Sequence, residues 1–146
     1  MQFKDVTHLV VHCSATPPDQ KISAAEIRHW HLKRGWRDIG YHFVILRDGT
    51  LQTGRQLSTQ GAHTKGHNRN TWGVCLVGGI DNQHEPANNF TPPQFAMLRA
   101  VYDLLGRKAP GLRMCGHGDF AGVKKACPSF DVATWMQRWM RVGLAF

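Results

Sequence analysis

The sequence predicts an α/β fold: a single mixed β-sheet flanked by helices. Three observations carry this expectation. Short apolar, β-branched runs alternate along the chain with segments whose apolar residues recur at helical spacing. An Asp-Gly pair between two of these runs marks a hairpin, which puts an antiparallel pair into a sheet whose other strands are joined through helices. The chain has 146 residues, enough for one hydrophobic core and short for two, and no linker or repeat interrupts it, so 1–146 reads as one domain.

The first run, 6–12 (VTHLVVH), reads as a buried strand that ends in a polar cluster and leaves His12 at the sheet edge. Ser23 and Glu26 have capping-box spacing, so a helix follows to about Lys33, with Gly35 as its stop. The runs at 41–47 (YHFVILR) and 50–53 flank Asp48-Gly49, whose residue types suit the positive φ angles of a tight turn. Residues 54–70 are polar, contain glycine and carry His63 and His67, the profile of a long surface loop that bears function. An apolar strand resumes at 72–77 and closes at Gly78-Gly79. Thr91 and Gln94 form a second capping pair with prolines in the first turn, and Phe95, Leu98, Tyr102 and Leu105 follow at helical spacing. A short strand at 112–115, an irregular loop at 116–127 and a helix with the stripe Val132, Trp135, Met136, Trp139 and Met140 complete the series.

The apolar fraction of 42%, with five Trp and seven Phe, is that of a folded globular chain and excludes a disordered one. No run approaches the roughly 20 apolar residues that cross a bilayer. Lys4 and Asp5 stand where a secretory leader has its apolar core, so the chain is expected to be made and folded in the cytosol. In that reducing compartment the four cysteines serve as metal ligands or buried thiols in preference to disulfides. A net charge of +8 attracts polyanions: nucleic acid, anionic lipid or cell wall. With no basic block and no nucleic-acid recognition motif, a specific nucleic-acid partner is not expected.

Zinc favours imidazole nitrogen and thiolate sulfur, and its catalytic sites keep three protein ligands and one open position. His12 ends a strand, whereas His117 and Cys127 bracket a loop (HGDFAGVKKAC) able to fold back over an ion, with Pro128 stiffening the exit. Spacing alone leaves the ligand set open, because the short CxxC and HExxH chelates are absent. Cys13 follows His12 on a strand and points to the opposite face, so Cys13 and Cys75 read as buried thiols. Cys115, close to His117, is the rival ligand of a closed four-ligand site. A three-ligand metal lowers the pKa of its water toward about 7 and polarises a carbonyl, so hydrolysis needs no serine or cysteine nucleophile. It does need oxyanion stabilisation and a proton manager. Lys125, just before Cys127, and Tyr41, at the start of the hairpin, can fill these roles, though each also reads as a surface lysine and a packed aromatic.

The segments VHCSAT (11–16), EIRHWH with GWRDIGYHFVILRDGT (26–50), GAHTKGHNRN with GVCLVGGID (61–81), FTPPQ (90–94) and KACPSFD (125–131) run nearly end to end. Through them the chain resembles the type 2 N-acetylmuramoyl-L-alanine amidases, including those of T-odd bacteriophages. The resemblance implies the fold shared with peptidoglycan-recognition proteins and one Zn2+ ion held by His12, His117 and Cys127. It further implies catalytic support from Tyr41 and Lys125, and a substrate contact from His63 to the muramyl group or stem peptide. The implied reaction is hydrolysis of the amide joining the lactyl group of N-acetylmuramic acid to L-alanine in peptidoglycan. Non-catalytic recognition members typically lack the zinc cysteine, so Cys127 points to an enzyme and away from a binding-only module.

The chain is then expected to be a monomeric phage or prophage endolysin that waits in the host cytoplasm until lysis exposes the periplasmic wall. Inhibitory binding to a phage RNA polymerase is the alternative activity that the T-odd relatives imply. For the final helix two readings stand: core packing, or contact of Trp135, Arg138, Trp139 and Arg141 with an anionic membrane surface.

Overall fold

The computed structural model describes residues 1–124 and 126–144, the side chains of 140–144 excepted. In chain order the elements are β1 (His8–Cys13), α1 (Ala24–Lys33), β2 (Phe43–Ile45), β3 (Leu51–Thr53), β4 (Thr71–Leu76), α2 (Pro92–Lys108), β5 (Arg113–Gly116) and α3 (Val132–Leu144). The strands form one mixed sheet in the order β3-β2-β4-β1-β5. Only the β2–β3 pair is antiparallel, while β2–β4, β4–β1 and β1–β5 are parallel.

The period of two along each strand separates the sheet's two faces. Leu9, Val11 and Cys13 of β1 join Trp72, Val74 and Leu76 of β4 and Phe43 and Ile45 of β2 in a core covered by Leu98, Val101 and Leu105 of α2 and by Val132 of α3. Val44 and Cys75 point the other way and pack with Ile27 of α1 and with Ile39. Coverage on both faces explains why the parallel strands read as continuous apolar runs.

Both helix starts follow the capping rule. The Ser23 N–H donates to the Glu26 carboxylate at 2.7 Å. The Gln94 N–H donates to the Thr91 hydroxyl at 3.3 Å, and the Thr91 N–H donates back to Gln94 Oε1 at 3.0 Å. Gln94 does more than cap. It is fully buried, and its Nε2 donates to the carbonyls of Ile45 at 3.1 Å and Val77 at 2.9 Å, pinning α2 to the ends of β2 and β4.

The hairpin departs from the sequence reading in its turn. Gly49 alone takes a positive φ, +90°, and Asp48 does not. The Gly49 N–H donates to Leu46 O at 2.8 Å and the Leu46 N–H to Thr50 O at 2.9 Å, a turn followed by a left-handed glycine bulge. Asp48 acts through its side chain, accepting the Thr50 N–H at 2.9 Å. The apolar stripe of α3 packs inward: Trp135 lies 5.4 Å from Phe95 and Trp139 6.0 Å from Tyr102, with the Arg99 guanidinium 4.5 Å over the Trp139 ring. Core packing therefore accounts for this stripe as far as Trp139, and the side chains of Met140 and Arg141 lie outside the described residues. Among the described residues no helix is long and apolar enough to cross a membrane.

Candidate metal centre

Loops beyond the carboxyl ends of parallel strands are the usual place for a site in α/β folds. His12 stands near the end of β1, and His117 directly follows the last residue of its parallel neighbour β5. Their ring centroids are 4.6 Å apart, and His12 is buried. The loop after β5 then folds back on itself. The Gly116 N–H donates to Asp119 Oδ2 at 2.8 Å, and the Gly118 N–H donates to Cys127 O at 2.8 Å, which brings Cys127 alongside His117.

One ligand atom from each of His12, His117 and Cys127 lies within 4.8 Å of the other two, and among the described residues no other trio of His, Cys, Asp or Glu converges in this way. Two imidazoles and a thiol suit a borderline-soft cation such as zinc. Cys115 is outside the cluster, with its thiol pushed up to about 12 by burial and by Asp119. Cys13 packs in the opposite core but contributes through its backbone, donating its N–H to Cys127 Sγ at 3.2 Å. That donor favours a thiolate on Cys127 when a cation is present. Without one, the contact between the two thiols draws Cys13 down to about 7 and, with burial, holds Cys127 up.

His63 belongs to the same cluster. Its Nδ1 is 2.9 Å from His12 Nε2 and 3.0 Å from the Thr64 hydroxyl. Asn68 Oδ1 accepts the N–H groups of both His63 and Thr64 at 2.9 Å and so shapes this part of the loop. The ring lies over Gly73 of β4, where a Cβ would stand 2.6 Å from His63 Cγ. His63 Nε2 is buried, with the Thr71 backbone beside the ring. Burial, followed by repulsion from His42 and His117, pulls the imidazole down to about 3, so it is neutral. Nδ1 is thus engaged with His12 while Nε2 is buried, and His63 lines the cleft in which a contact to the muramyl group or stem peptide was expected.

The cluster lies in an open cleft of about 1090 Å³. Arg34, Lys65 and Lys124 reach its walls, and its described lining contains no Asp or Glu. The Arg34 guanidinium sits 5.6 Å from the Trp36 ring centroid. Tyr41 also lines the cleft, its ring 5.0 Å from that of His12. Burial, and after it the thiols of Cys75, Cys127 and Cys13, raise the phenol well above its ordinary range, so Tyr41 enters any chemistry as a protonated donor.

Residues 2–130 match the family described as N-acetylmuramoyl-L-alanine amidase. The chain belongs to the N-acetylmuramoyl-L-alanine amidase family. The amidase is 48% identical over 141 residues to the endolysin of Escherichia phage T7, covering 94% of this chain and 92% of that one. It is 48% identical over 130 residues to the endolysin of Enterobacteria phage T3, covering 89% and 85%. Among solved structures it is similar to the amidase LysC of Clostridium intestinale, with a TM-score of 0.76 at 26% identity over 95% of this chain and 87% of that one. Bumblebee PGRP-SA, 23% identical over 92% of this chain and 82% of that one, shares the fold with a TM-score of 0.75.

Of the residues expected to act, the amidase places His12, His117, Cys127, Tyr41 and His63 together around one cleft. Lys125 lies outside the described residues. Sequence reasoning did not single out Thr64, Asn68, Arg34 or Trp36. Three of these lie within the segments that carry the family resemblance, and Arg34 is directly beside one. Gly73, a glycine inside an apolar strand, was a readable sign that another group approaches the backbone there.

Proposed function

We propose that this amidase is a zinc-dependent phage endolysin that hydrolyses the bond between N-acetylmuramic acid and L-alanine in bacterial peptidoglycan. The observation that carries the zinc reading is the convergence of His12, His117 and Cys127 within 4.8 Å at the cleft. A zinc ion held by these three residues supplies Lewis acidity, lowering the pKa of a water and polarising the scissile carbonyl. His12 and His117 bind as neutral imidazoles, and Cys127 binds as a thiolate that receives the Cys13 N–H.

Tyr41, held protonated, donates a hydrogen bond to charge that develops on the substrate beside His12. Lys125 takes the oxyanion-stabilising role that the family resemblance gives it. Stem peptides bear free carboxylates, and a cleft wall with Arg34, Lys65 and Lys124 and no described acid favours such a ligand. The open side of the cleft suits a polymer. The protein resides in the host cytoplasm until lysis gives it access to the wall.

The test is digestion of purified peptidoglycan. Free stem peptides appear without new reducing sugar ends, and activity is lost on chelation, returns with zinc and is absent in Cys127→Ala. New reducing ends, or full activity in chelator, overturn the reading.

A further inference from the structure

We propose that His63 is a positioning residue for the metal centre, holding His12 by Nε2 and so committing the opposite ring nitrogen, Nδ1, to the cation. The inference rests on the reading of His12, His117 and Cys127 as metal ligands. An imidazole binds a metal through one nitrogen while the other carries a proton that needs an acceptor, and that acceptor decides which nitrogen faces the ion. His12 Nε2 is already occupied: His63 Nδ1 lies 2.9 Å away and the Thr64 hydroxyl 3.4 Å away. A cation approaching Nε2 has to displace His63, whereas an Nε2–H that donates to His63 leaves the Nδ1 lone pair for the cation.

The surroundings of His63 fit this role. For Nδ1 to accept, the ring proton must sit on Nε2, the buried nitrogen, where the Thr71 backbone supplies the acceptor. That tautomer presents an acceptor to His12. The ring is also fixed on three sides. Asn68 Oδ1 clamps the backbone of His63 and Thr64, Gly73 leaves the ring its seat on β4, and His42 meets it edge-on at 6.0 Å. Partners of this kind typically change metal affinity by about 10- to 100-fold.

The test compares zinc dissociation constants, from competition with a chromophoric chelator, and visible spectra of the cobalt-substituted protein, for wild type and three variants. His63→Leu removes the acceptor. His63→Asn restores one near the position of Nδ1, and His63→Gln keeps a polar group but sets it one bond too far. Zinc binding is expected to weaken about 10- to 100-fold in His63→Leu and His63→Gln and to recover to within a few-fold in His63→Asn. The cobalt spectrum should change in the first two and match wild type in the third. Should His63→Leu not fold, the Gln and Asn variants decide alone. Wild-type affinity and an unchanged spectrum in His63→Gln overturn the proposal, as does equal weakening in Gln and Asn. A wild-type chain that binds no zinc overturns the metal reading itself, before any variant is compared.

Discussion

Gly73→Ala probes the seat of His63 from the opposite side, without touching a ligand. Gly73 lies in β4 opposite Val10 of β1, on the face turned toward α1. A Cβ built there stands 2.6 Å from His63 Cγ, 2.7 Å from Cδ2 and 2.8 Å from Nδ1. Carbon atoms in contact prefer about 3.5–4.0 Å, so the ring has to retreat by about 1 Å. A retreat of that size stretches the 2.9 Å contact with His12 to about 3.9 Å, beyond hydrogen-bonding range. Asn68 anchors the backbone beneath the ring, so the loop cannot simply follow. Overpacking of this kind costs about 1–3 kcal/mol, and the lost contact should weaken zinc binding about tenfold or more. Urea unfolding of the metal-free protein reads the first quantity and chelator competition the second. The same substitution in a His63→Asn background should cost less, because the smaller side chain leaves room for the methyl group. Unchanged stability together with unchanged zinc affinity in Gly73→Ala would refute the placement of His63 over β4.

The other expectations follow from burial and charge. Gln94→Leu leaves the carbonyls of Ile45 and Val77 without their buried donor and should lower unfolding stability by about 3 kcal/mol, read from urea midpoints; a loss under about 1 kcal/mol would show that water replaces the side chain. Tyr41→Phe keeps the ring beside His12 but removes the phenol proton, so kcat should drop about 100-fold with zinc affinity unchanged, and a wild-type kcat would remove Tyr41 from the chemistry. Acid should destabilise the metal-free protein through His63. Its folded pKa of about 3 lies below the unfolded value of about 6.5, so its contribution is complete above about pH 6.5 and is lost as pH falls toward 3. The slope is about 1.4 kcal/mol per pH unit, or about 2 kcal/mol at pH 5. His31, held near 4 mainly by burial, and His42, also lowered, act in the same direction. A flat urea midpoint between pH 7 and 5 would contradict neutral buried imidazoles.

Much of the architecture was legible because its causes are local. The Ser23–Glu26 and Thr91–Gln94 capping pairs start α1 and α2 where spacing places them, and the β-branched runs become the central strands. The hairpin was legible as a hairpin, but the type of turn was not, since Asp-Gly is compatible with more than one turn and only Gly49 takes the left-handed conformation. The grouping of His12, His117 and Cys127 was legible only through family resemblance. His12 is more than a hundred residues from His117 and Cys127 in sequence, and no short-range rule joins a strand end to a distant loop.

By itself the sequence determined which segments become strands and helices, which face of each is apolar, and which residue types are available to bind a metal. These properties depend on neighbours a few positions apart, where backbone geometry sets the period. Tertiary structure decided that β1 and β5 lie side by side, so that His12 and His117 meet, and that the Gly118 bond to Cys127 closes the loop over them. It also decided that the His63 ring lies against His12. Where an imidazole of a polar loop comes to rest depends on what lies behind it. Here that is the bare backbone of Gly73, brought there by the pairing of strands far apart in the chain.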